Sequence, residues 1–274
     1  MSALFPPSNY CPLQADPRFG FVFSPAPDKK GRNALVIAIH GSDRDVDGMI
    51  AALRDGFGDR EIAILAPFFP NQIDNTDHAD GYKFLVSGGI DYADVLDAMI
   101  AQSKALDGDF DTAYLYGFSG GAQFAERYGL FCAAHLCGLV IAAPGNVTLI
   151  DETLEWWPGL AGAKAQTDRA PDLKSLRQIP VAVMVGAQDC TRGLVARPLG
   201  TPHGSAFEAV AGDSRLARAR TLHASFQNAG ISSSLREIAD VAHDLHPMTR
   251  NAADQIARWI DVKNTAPTSP INGE

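Results

Sequence analysis

Short apolar segments of strand length recur along this chain, and segments with a helical pattern lie between them. The predicted strands cover residues 34–40, 62–67, 113–116, 138–144, 179–185 and 232–238. Most of these segments are apolar throughout, as a strand is when both faces of its sheet are covered. A repeated order of strand, loop and helix favours parallel strands joined by right-handed crossovers. The sequence therefore predicts an α/β fold with a doubly wound, mostly parallel sheet and helices on both faces.

Flanking and irregular segments divide the chain further. Residues 1–33 are rich in proline and aromatic residues, with phenylalanines alternating from Phe19, and predict an extended arm or hairpin on a sheet edge. Residues 34–262 are predicted as one domain, and the polar residues 263–274 as a flexible tail. Between 145 and 178 the pattern is irregular, which is typical of a small insertion over the carboxyl edge of a sheet.

Composition limits the partners that this chain can have. The 274 residues carry a net charge of −9 and a pI near 5.2, so we expect no extended nucleic-acid surface and no attraction to anionic membranes. Arg215, Arg218 and Arg220 follow helical spacing and predict a solvated helix face. No apolar run reaches the length of about 18 residues of a membrane span, and no secretion signal pattern is present. We expect a soluble, cytoplasmic protein.

A metal centre is not predicted. Cys11, Cys132, Cys137 and Cys190 show no CxxC spacing, and we expect free thiols. The histidines show neither the HxH nor the HExxH spacing of a metal site. The sequence implies no cofactor.

The segment Gly117-Phe-Ser119-Gly-Gly121 lies between a predicted strand and a helical pattern. A flexible Gly/Ser loop would have polar flanks, whereas residues 113–116 are apolar. In this context Gly-x-Ser-x-Gly is typical of a nucleophile elbow, a strained turn that exposes a serine hydroxyl in front of a helix N-terminus. We interpret Ser119 as a nucleophile.

Two further side chains follow predicted strands and complete a catalytic set. A serine hydroxyl needs an imidazole to remove its proton, and the imidazole needs a carboxylate that fixes its tautomer. Asp189 follows the strand at 179–185, and His243 follows the last predicted strand. Because the carboxyl ends of parallel strands meet at one sheet edge, we expect Ser119, Asp189 and His243 to converge there.

Each assignment has a competing interpretation. Asp189 can instead close a turn after its strand. Asp213 and Asp172 are other acids, better explained as the cap of a helix that starts at about residue 214 and as a surface turn. His246 is the other histidine near the last helix, where it can act as a cap beside Pro247.

The chain resembles the α/β-hydrolases over about residues 34–262. The matching residues are His40-Gly41 after an early strand, the Gly117 to Gly121 motif, Gly186-Ala-Gln-Asp189 after a later strand, and His243 before the last helix. The order Ser, Asp, His is the one known for this architecture. Gly-x-Ser-Gly-Gly is similar to the esterase, polyester-depolymerase-like and prolyl-peptidase-like branches. The cysteine nucleophile of dienelactone hydrolases and the long His-Gly-Gly-Gly loop of some lipases are absent.

The resemblance also implies an oxyanion hole made by two backbone N–H groups. Gly120, which follows the nucleophile, supplies one of them. The loop after His40 supplies the other, for which we choose Ser42 over Gly41. His40 is expected to order this loop through hydrogen bonds.

Four residues are candidates for substrate contacts. Phe118 lies inside the elbow, and Trp157 lies in the irregular segment, where it can line a pocket. Arg44 and Arg192 follow the two loops that border the predicted site and can hold an anionic group of the substrate. The alternatives are core packing for the aromatic residues and surface salt bridges for the arginines.

These residues together predict a serine hydrolase that cleaves a small-molecule carboxylic ester through an acyl-enzyme on Ser119, with His243 as base and then acid. Cleavage of peptide, amide or carbon–carbon bonds with the same residues is the alternative within enzymes. A non-catalytic binding protein on a hydrolase scaffold is the alternative from another class. The sequence does not determine the oligomeric state.

Overall fold

The computed structural model describes residues 6–27, 34–107, 110–192 and 202–265. Within them the strands are β1 (Tyr10–Pro12), β2 (Gly20–Ser24), β3 (Ala34–Ile39), β4 (Ile62–Phe68), β5 (Gln72–Ile73), β6 (Thr76–Asp77), β7 (Val86–Ser87), β8 (Ile90–Asp91), β9 (Thr112–Phe118), β10 (Gly138–Ala142), β11 (Val181–Gly186) and β12 (Ser233–Ile238). The α-helices are α1 (Val46–Phe57), α2 (Tyr92–Asp107), α3 (Gly120–Cys132), α4 (Ala163–Thr167), α5 (Leu173–Leu176), α6 (Pro202–Ala211), α7 (Arg215–Asn228) and α8 (Leu245–Thr265).

An eight-stranded sheet organises the fold, with the strand order β1-β2-β4-β3-β9-β10-β11-β12. The strands from β4 to β12 in this order pair in parallel, whereas β1 and β2 are antiparallel strands at the β4 edge. In register, Ala142 of β10 lies opposite Phe118 of β9, and Ile39 of β3 lies opposite Gly117. The loops that follow these strands therefore leave the sheet side by side, and the predicted mostly parallel sheet is confirmed.

Helices cover both faces of this sheet. On one face α1 and α8 pack against strand residues such as Val36, Ile64 and Val140. On the other face the apolar sides of α2, α3 and α7 form a second core cluster with alternate strand residues. Both clusters consist of buried hydrophobic side chains, which explains why the central strands are apolar throughout. No helix in the described ranges is long and apolar enough to cross a bilayer.

Some helix ends differ from the prediction. Ser214, not Asp213, caps α7, because its side chain accepts the N–H of Ala217 at 3.3 Å. The last helix begins at Leu245, so Pro247 lies in its first turn, where no backbone N–H is needed. This helix continues to Thr265. The rest of the predicted tail, and residues 1–5 and 28–33 of the predicted arm, lie outside the described residues.

The irregular segment at 145–178 packs into the core. Val147, Trp157 and Leu160 are buried in the cluster on the α3 side of the sheet. Its backbone folds on itself, since Leu149 N–H donates to Pro158 O at 2.8 Å. The segment therefore packs beside α3, and it contains the short helices α4 and α5.

Candidate active site

Ser119 lies in a strained turn between β9 and α3. Its φ of 55° and ψ of −109° are unusual for a residue with a side chain. Its N–H donates to Ala142 O at 2.9 Å, which ties the turn to β10. A Cβ on Gly117 would lie 2.1 Å from Gly121 O, and a Cβ on Gly121 would lie 2.0 Å from Ile39 O. The two glycines of the motif therefore allow strand, turn and helix to approach each other closely.

A hydrogen-bonded chain joins the three predicted catalytic side chains. Ser119 Oγ lies 3.0 Å from His243 Nε2, and His243 Nδ1 lies 2.8 Å from Asp189 Oδ2. A carboxylate only accepts hydrogen bonds, so Nδ1 carries a proton and donates it to Asp189. In the neutral imidazole Nε2 is then the acceptor for the Ser119 hydroxyl. The loops after β9, β11 and β12 thus bring these side chains together.

Asp189 has a second partner, which the sequence pattern does not indicate. Arg215, the first residue of α7, places Nη1 3.3 Å from Asp189 Oδ1, and the two side chains are only 12% and 2% exposed. Burial raises the pKa of Asp189, but the hydrogen bond and charge of His243, together with Arg215, hold that pKa below its usual value. The carboxylate is therefore ionised and fixed at both of its oxygens.

The prediction that Arg215, Arg218 and Arg220 form a solvated face is wrong for the first two. Arg218 is fully buried and donates through Nη1 to Gly145 O at 2.5 Å. Arg220 lies at the surface, where it pairs with Glu237 at 2.7 Å. Helical spacing places residues on one face of a helix. The packing of α7 against the loop after β10 determines whether that face is buried or exposed.

Phe118 contacts the imidazole. Its ring stacks on the ring of His243, with centroids 4.8 Å apart and an interplanar angle of 22°. The side chain is buried at the end of β9. This contact limits tilting of the imidazole, so that its two nitrogens stay aligned with Ser119 and Asp189. A contact between Phe118 and substrate stays a prediction.

His40 orders the loop that follows β3. Its Nε2 accepts the N–H of Phe69 at 3.0 Å, so Nδ1 carries the proton and donates to Gly41 O at 2.7 Å. Burial, with the nearby charge of Arg44, lowers the pKa of His40 to about 3. The ring is thus a neutral cross-link between the loop after β3 and the end of β4.

Arg44 is buried, and its side chain is turned into the protein. Its guanidinium donates to the carbonyls of Phe69 at 2.7 Å, Ser42 at 2.9 Å and Ala79 at 2.8 Å. The residue is 3% exposed. The structure therefore replaces its predicted contact with a substrate anion by a structural contact, in which a buried guanidinium supplies donors for three loop carbonyls.

Arg44→Met is expected to destabilise the protein by about 3 kcal/mol, because one buried and two half-buried carbonyls lose a charged donor. The free energy of unfolding, measured by urea denaturation, checks this expectation. Arg192→Met is the matched control, since that side chain is 83% exposed and its loss should cost less than about 0.5 kcal/mol. Equal stability of the two variants would contradict the structural role of Arg44.

The two other predicted substrate contacts lie in different surroundings. Trp157 is buried between Phe84 and Phe207, with ring centroids 5.8 and 4.8 Å away. Arg192 pairs with Asp213 at 3.0 Å on the surface. The structure therefore places Trp157 in the core and Arg192 in a surface salt bridge, which are the alternatives given for them above.

The loop after His40 lies directly beside the elbow. A Cβ on Gly41 would lie 3.5 Å from Ser119 Cβ, and a Cβ on Gly120 would lie 3.1 Å from Ser42 Oγ. Gly120 is the first residue of α3, so its N–H has no acceptor within the helix. The two residues predicted for the oxyanion hole, Ser42 and Gly120, are therefore neighbours next to Ser119.

A buried pair further along α3 was not expected from the sequence. Glu126 and Arg127 are both fully buried. Glu126 Oε1 accepts the N–H of Thr148 at 2.6 Å, and Arg127 donates to Thr148 Oγ1 at 3.0 Å and Asn146 Oδ1 at 2.9 Å. Arg127 also donates to the carbonyl of Lys83. These contacts fasten the irregular segment and the turn at Lys83 to the helix that starts at the elbow.

Glu126→Gln is expected to make the protein more stable at alkaline pH. Burial raises the pKa of Glu126 to about 8 against the opposing effects of Arg127 and the Thr148 N–H. Between the ordinary carboxyl pKa and pH 8 the folded wild type holds one more proton than the unfolded chain, so its stability falls as pH rises. From pH 6 to pH 9 the variant should gain about 3 kcal/mol on the wild type.

Urea denaturation at the two pH values measures this difference, with the exposed substitution Glu152→Gln as the matched control. A stability difference between Glu126→Gln and wild type that does not change with pH would show that Glu126 is ionised in the folded protein throughout this range.

The remaining cysteine and acidic side chains form no further centre in the part of the chain that the structure describes. Cys11, Cys132, Cys137 and Cys190 are free thiols, as predicted. In the same residues no group of three or more histidine, cysteine or carboxylate side chains is arranged to hold a metal ion.

No protein-family model and no curated protein matches this sequence. Solved structures do match it. A poly(3-hydroxybutyrate) depolymerase from Bordetella parapertussis superimposes with a TM-score of 0.72, at 22% identity over 93% of this chain and 90% of that one. A poly(aspartic acid) hydrolase-1 from Sphingomonas sp. KT-1 gives a TM-score of 0.71, at 21% identity over 87% and 93% of the chains.

An S-formylglutathione hydrolase from Agrobacterium tumefaciens is a more distant match, with a TM-score of 0.59 and 12% identity over 89% of each chain. At such identities the likeness concerns the fold. It agrees with the mostly parallel sheet, the strained turn after β9 and the loops after β11 and β12 that meet it. The chain therefore has the α/β-hydrolase fold.

Proposed function

We propose that this protein is a serine hydrolase that cleaves a carboxylic ester through an acyl-enzyme on Ser119. The observation that carries the proposal is the hydrogen-bonded chain from Ser119 Oγ to His243 to Asp189, with distances of 3.0 and 2.8 Å. Both contacts are within the reach that proton transfer needs. The solved structures of similar fold include a depolymerase and two hydrolases, which supports the same class of reaction.

The first half of the reaction forms the acyl-enzyme. His243 Nε2 takes the proton of Ser119 Oγ while that oxygen attacks the ester carbonyl carbon and the carbonyl oxygen becomes negative. Asp189 accepts the hydrogen bond from Nδ1–H, and its negative charge stabilises the imidazolium. Collapse of the tetrahedral intermediate breaks the bond to the alcohol oxygen, which leaves with the proton from Nε2.

The second half returns the enzyme to its starting state. Water loses a proton to His243 Nε2 and attacks the acyl carbon. The second tetrahedral intermediate expels Ser119 Oγ, which takes that proton back, and the carboxylic acid leaves. Each step moves one proton between oxygen and Nε2, so a single imidazole serves as base and acid in turn.

Negative charge on the carbonyl oxygen needs donors that are already in place. We assign them to the N–H groups of Gly120 and Ser42, because these residues are neighbours beside Ser119. The Gly120 N–H also lies at the positive end of the α3 dipole. Loss of one such donor typically costs about 3 kcal/mol of transition-state stabilisation.

Labelling with a fluorophosphonate tests the nucleophile, and paired substrates test the bond. We expect a single adduct on Ser119 by mass spectrometry of peptides. We also expect turnover of p-nitrophenyl esters of short acids and none of the matching p-nitroanilides. Anilide turnover without ester turnover would favour amide cleavage, and absence of both turnover and adduct would favour a non-catalytic binding protein.

A further inference from the structure

A short 3-10 turn, Gly81–Phe84, covers the elbow on the side of Gly120. A Cβ on Gly120 would lie 2.4 Å from the Tyr82 hydroxyl oxygen and 2.8 Å from Lys83 Cε. The turn is fastened from behind, since Arg127 of α3 donates to the Lys83 carbonyl. Helix α3 therefore holds both the turn and the elbow. The Tyr82 hydroxyl contacts Gly120, the residue that follows Ser119.

The Tyr82 side chain is fixed on all sides. It is fully buried, and its ring stacks on Phe69 with centroids 5.3 Å apart and an interplanar angle of 28°. The ring of His40 lies 5.2 Å away. A ring packed in this way has one orientation, so the position of its hydroxyl is determined by the core and not by solvent.

The hydroxyl of Tyr82 joins two parts of the candidate oxyanion hole. It donates to His40 O at 3.3 Å, and it lies with Ser42 Oγ against Gly120, where a Cβ would lie 2.4 Å from the Tyr82 hydroxyl oxygen and 3.1 Å from Ser42 Oγ. Burial raises the pKa of Tyr82, and the phenol therefore keeps its proton in neutral solution.

We propose that Tyr82 is a positioning residue of the oxyanion hole. Its hydroxyl ties the loop at His40 and Ser42 to the elbow and so fixes how far the Ser42 N–H lies from the Gly120 N–H. The inference rests on the proposed function, because a spacing between two donors matters only where an oxyanion forms. Donors that are fixed before the reaction stabilise the transition state more than the bound substrate.

Tyr82→Phe tests the proposal, because it keeps the ring contacts and removes only the hydroxyl. We expect kcat for a p-nitrophenyl ester to fall about tenfold with KM nearly unchanged, as for an interaction made in the transition state. The inhibition constant of an arylboronic acid, whose tetrahedral serine adduct resembles that state, should rise by about the same factor. A merely structural role would lower the melting temperature without moving this constant.

Tyr128→Phe is the matched control for the loss of a buried hydroxyl. Tyr128 is also buried, and its hydroxyl donates to Asp97 at 2.6 Å between α3 and α2. This variant should lose stability and keep the wild-type inhibition constant for the boronic acid. An equal rise of that constant in both variants would mean that general loosening of the core causes the effect, which would overturn the proposal.

Ser42→Ala is a second test, since it removes the Ser42 hydroxyl, which lies with the Tyr82 hydroxyl against Gly120, and keeps the Ser42 N–H. We expect a rise in the boronic acid constant here too, and no additional rise in the double variant with Tyr82→Phe. Additive effects, or wild-type constants in both single variants, would overturn the inference. If the wild type takes up no fluorophosphonate, the proposed function fails first, so the two failures are distinguishable.

Discussion

Ser119→Ala is expected to lower kcat/KM for a p-nitrophenyl ester by about 10⁴-fold or more. The substitution removes one oxygen, the proposed nucleophile that lies 3.0 Å from His243 Nε2. The oxyanion donors and the binding surface remain, so residual catalysis above the rate in water is expected. Initial rates with purified variant and wild type, measured under the same conditions, give this ratio.

Stability and a second serine variant serve as controls for this prediction. Alanine fits the strained turn as serine does, so the free energy of unfolding should stay close to the wild-type value. Ser103→Ala removes a buried hydroxyl that donates to Ile100 O at 2.8 Å in α2, away from the elbow, and should keep wild-type activity. Activity of Ser119→Ala above a few per cent of wild type would assign the reaction to another nucleophile.

The sheet could be predicted because of its burial. A strand covered on both faces must be apolar along its whole length, as Ala34–Ile39 and Val181–Gly186 are, and such runs stand out in the sequence. The small strands at 72–77 and 86–91 have no such pattern. They lie among polar residues, where short hairpins depend on contacts with the rest of the fold, so the sequence pattern does not predict them.

Within the site, position after a strand was the useful signal. Ser119, Asp189 and His243 each follow a parallel strand, and parallel strands deliver such residues to one sheet edge. Arg44 and Arg215 differ from the prediction because an arginine beside a polar loop is usually solvated, whereas these two donate to the buried oxygens of Phe69 and Asp189. Which oxygens need a donor depends on how the loops pack against the rest of the fold. The spacing of residues along the sequence does not determine that packing.

Tyr82 and the Glu126 and Arg127 pair were missed for a related reason. Each contacts the irregular segment at 145–178 or residues 71–89, and neither stretch has a hydrophobic period from which a buried face can be predicted. Two adjacent charged residues in a helix normally predict a helix face that is exposed to solvent. The packed segment at 145–178 reverses this expectation by covering the side of α3 that carries the pair.

Asp189→Asn is expected to lower kcat/KM by about 10⁴-fold near neutral pH, because it favours the wrong tautomer of His243. Arg215 decides how the new amide is oriented. Its guanidinium can only donate, so it requires the amide oxygen at the position of Oδ1. The amide N–H₂ then faces His243 Nδ1, which must accept, and Nε2 carries the proton. An imidazole in this state cannot take the proton of Ser119.

A test of this mechanism uses Arg215→Met in both backgrounds. In the wild-type background the variant should lose about tenfold in kcat/KM, the cost of one hydrogen bond to a charged group. It should also lose activity at a higher pH as the solution is acidified, since Arg215 helps to hold the pKa of Asp189 down. The pH dependence of kcat/KM measures both changes.

In the Asp189→Asn background Arg215→Met should raise kcat/KM, which is the opposite of its effect in the wild-type background. Without the guanidinium the amide can rotate and offer its oxygen to His243 Nδ1, which restores the tautomer that accepts the proton of Ser119. The reversal of sign between backgrounds distinguishes control of the tautomer from a general electrostatic effect, for which Arg215→Met would be unfavourable or neutral in both. Equal losses in the two backgrounds would therefore remove Arg215 from the mechanism and leave it as a structural neighbour of Asp189.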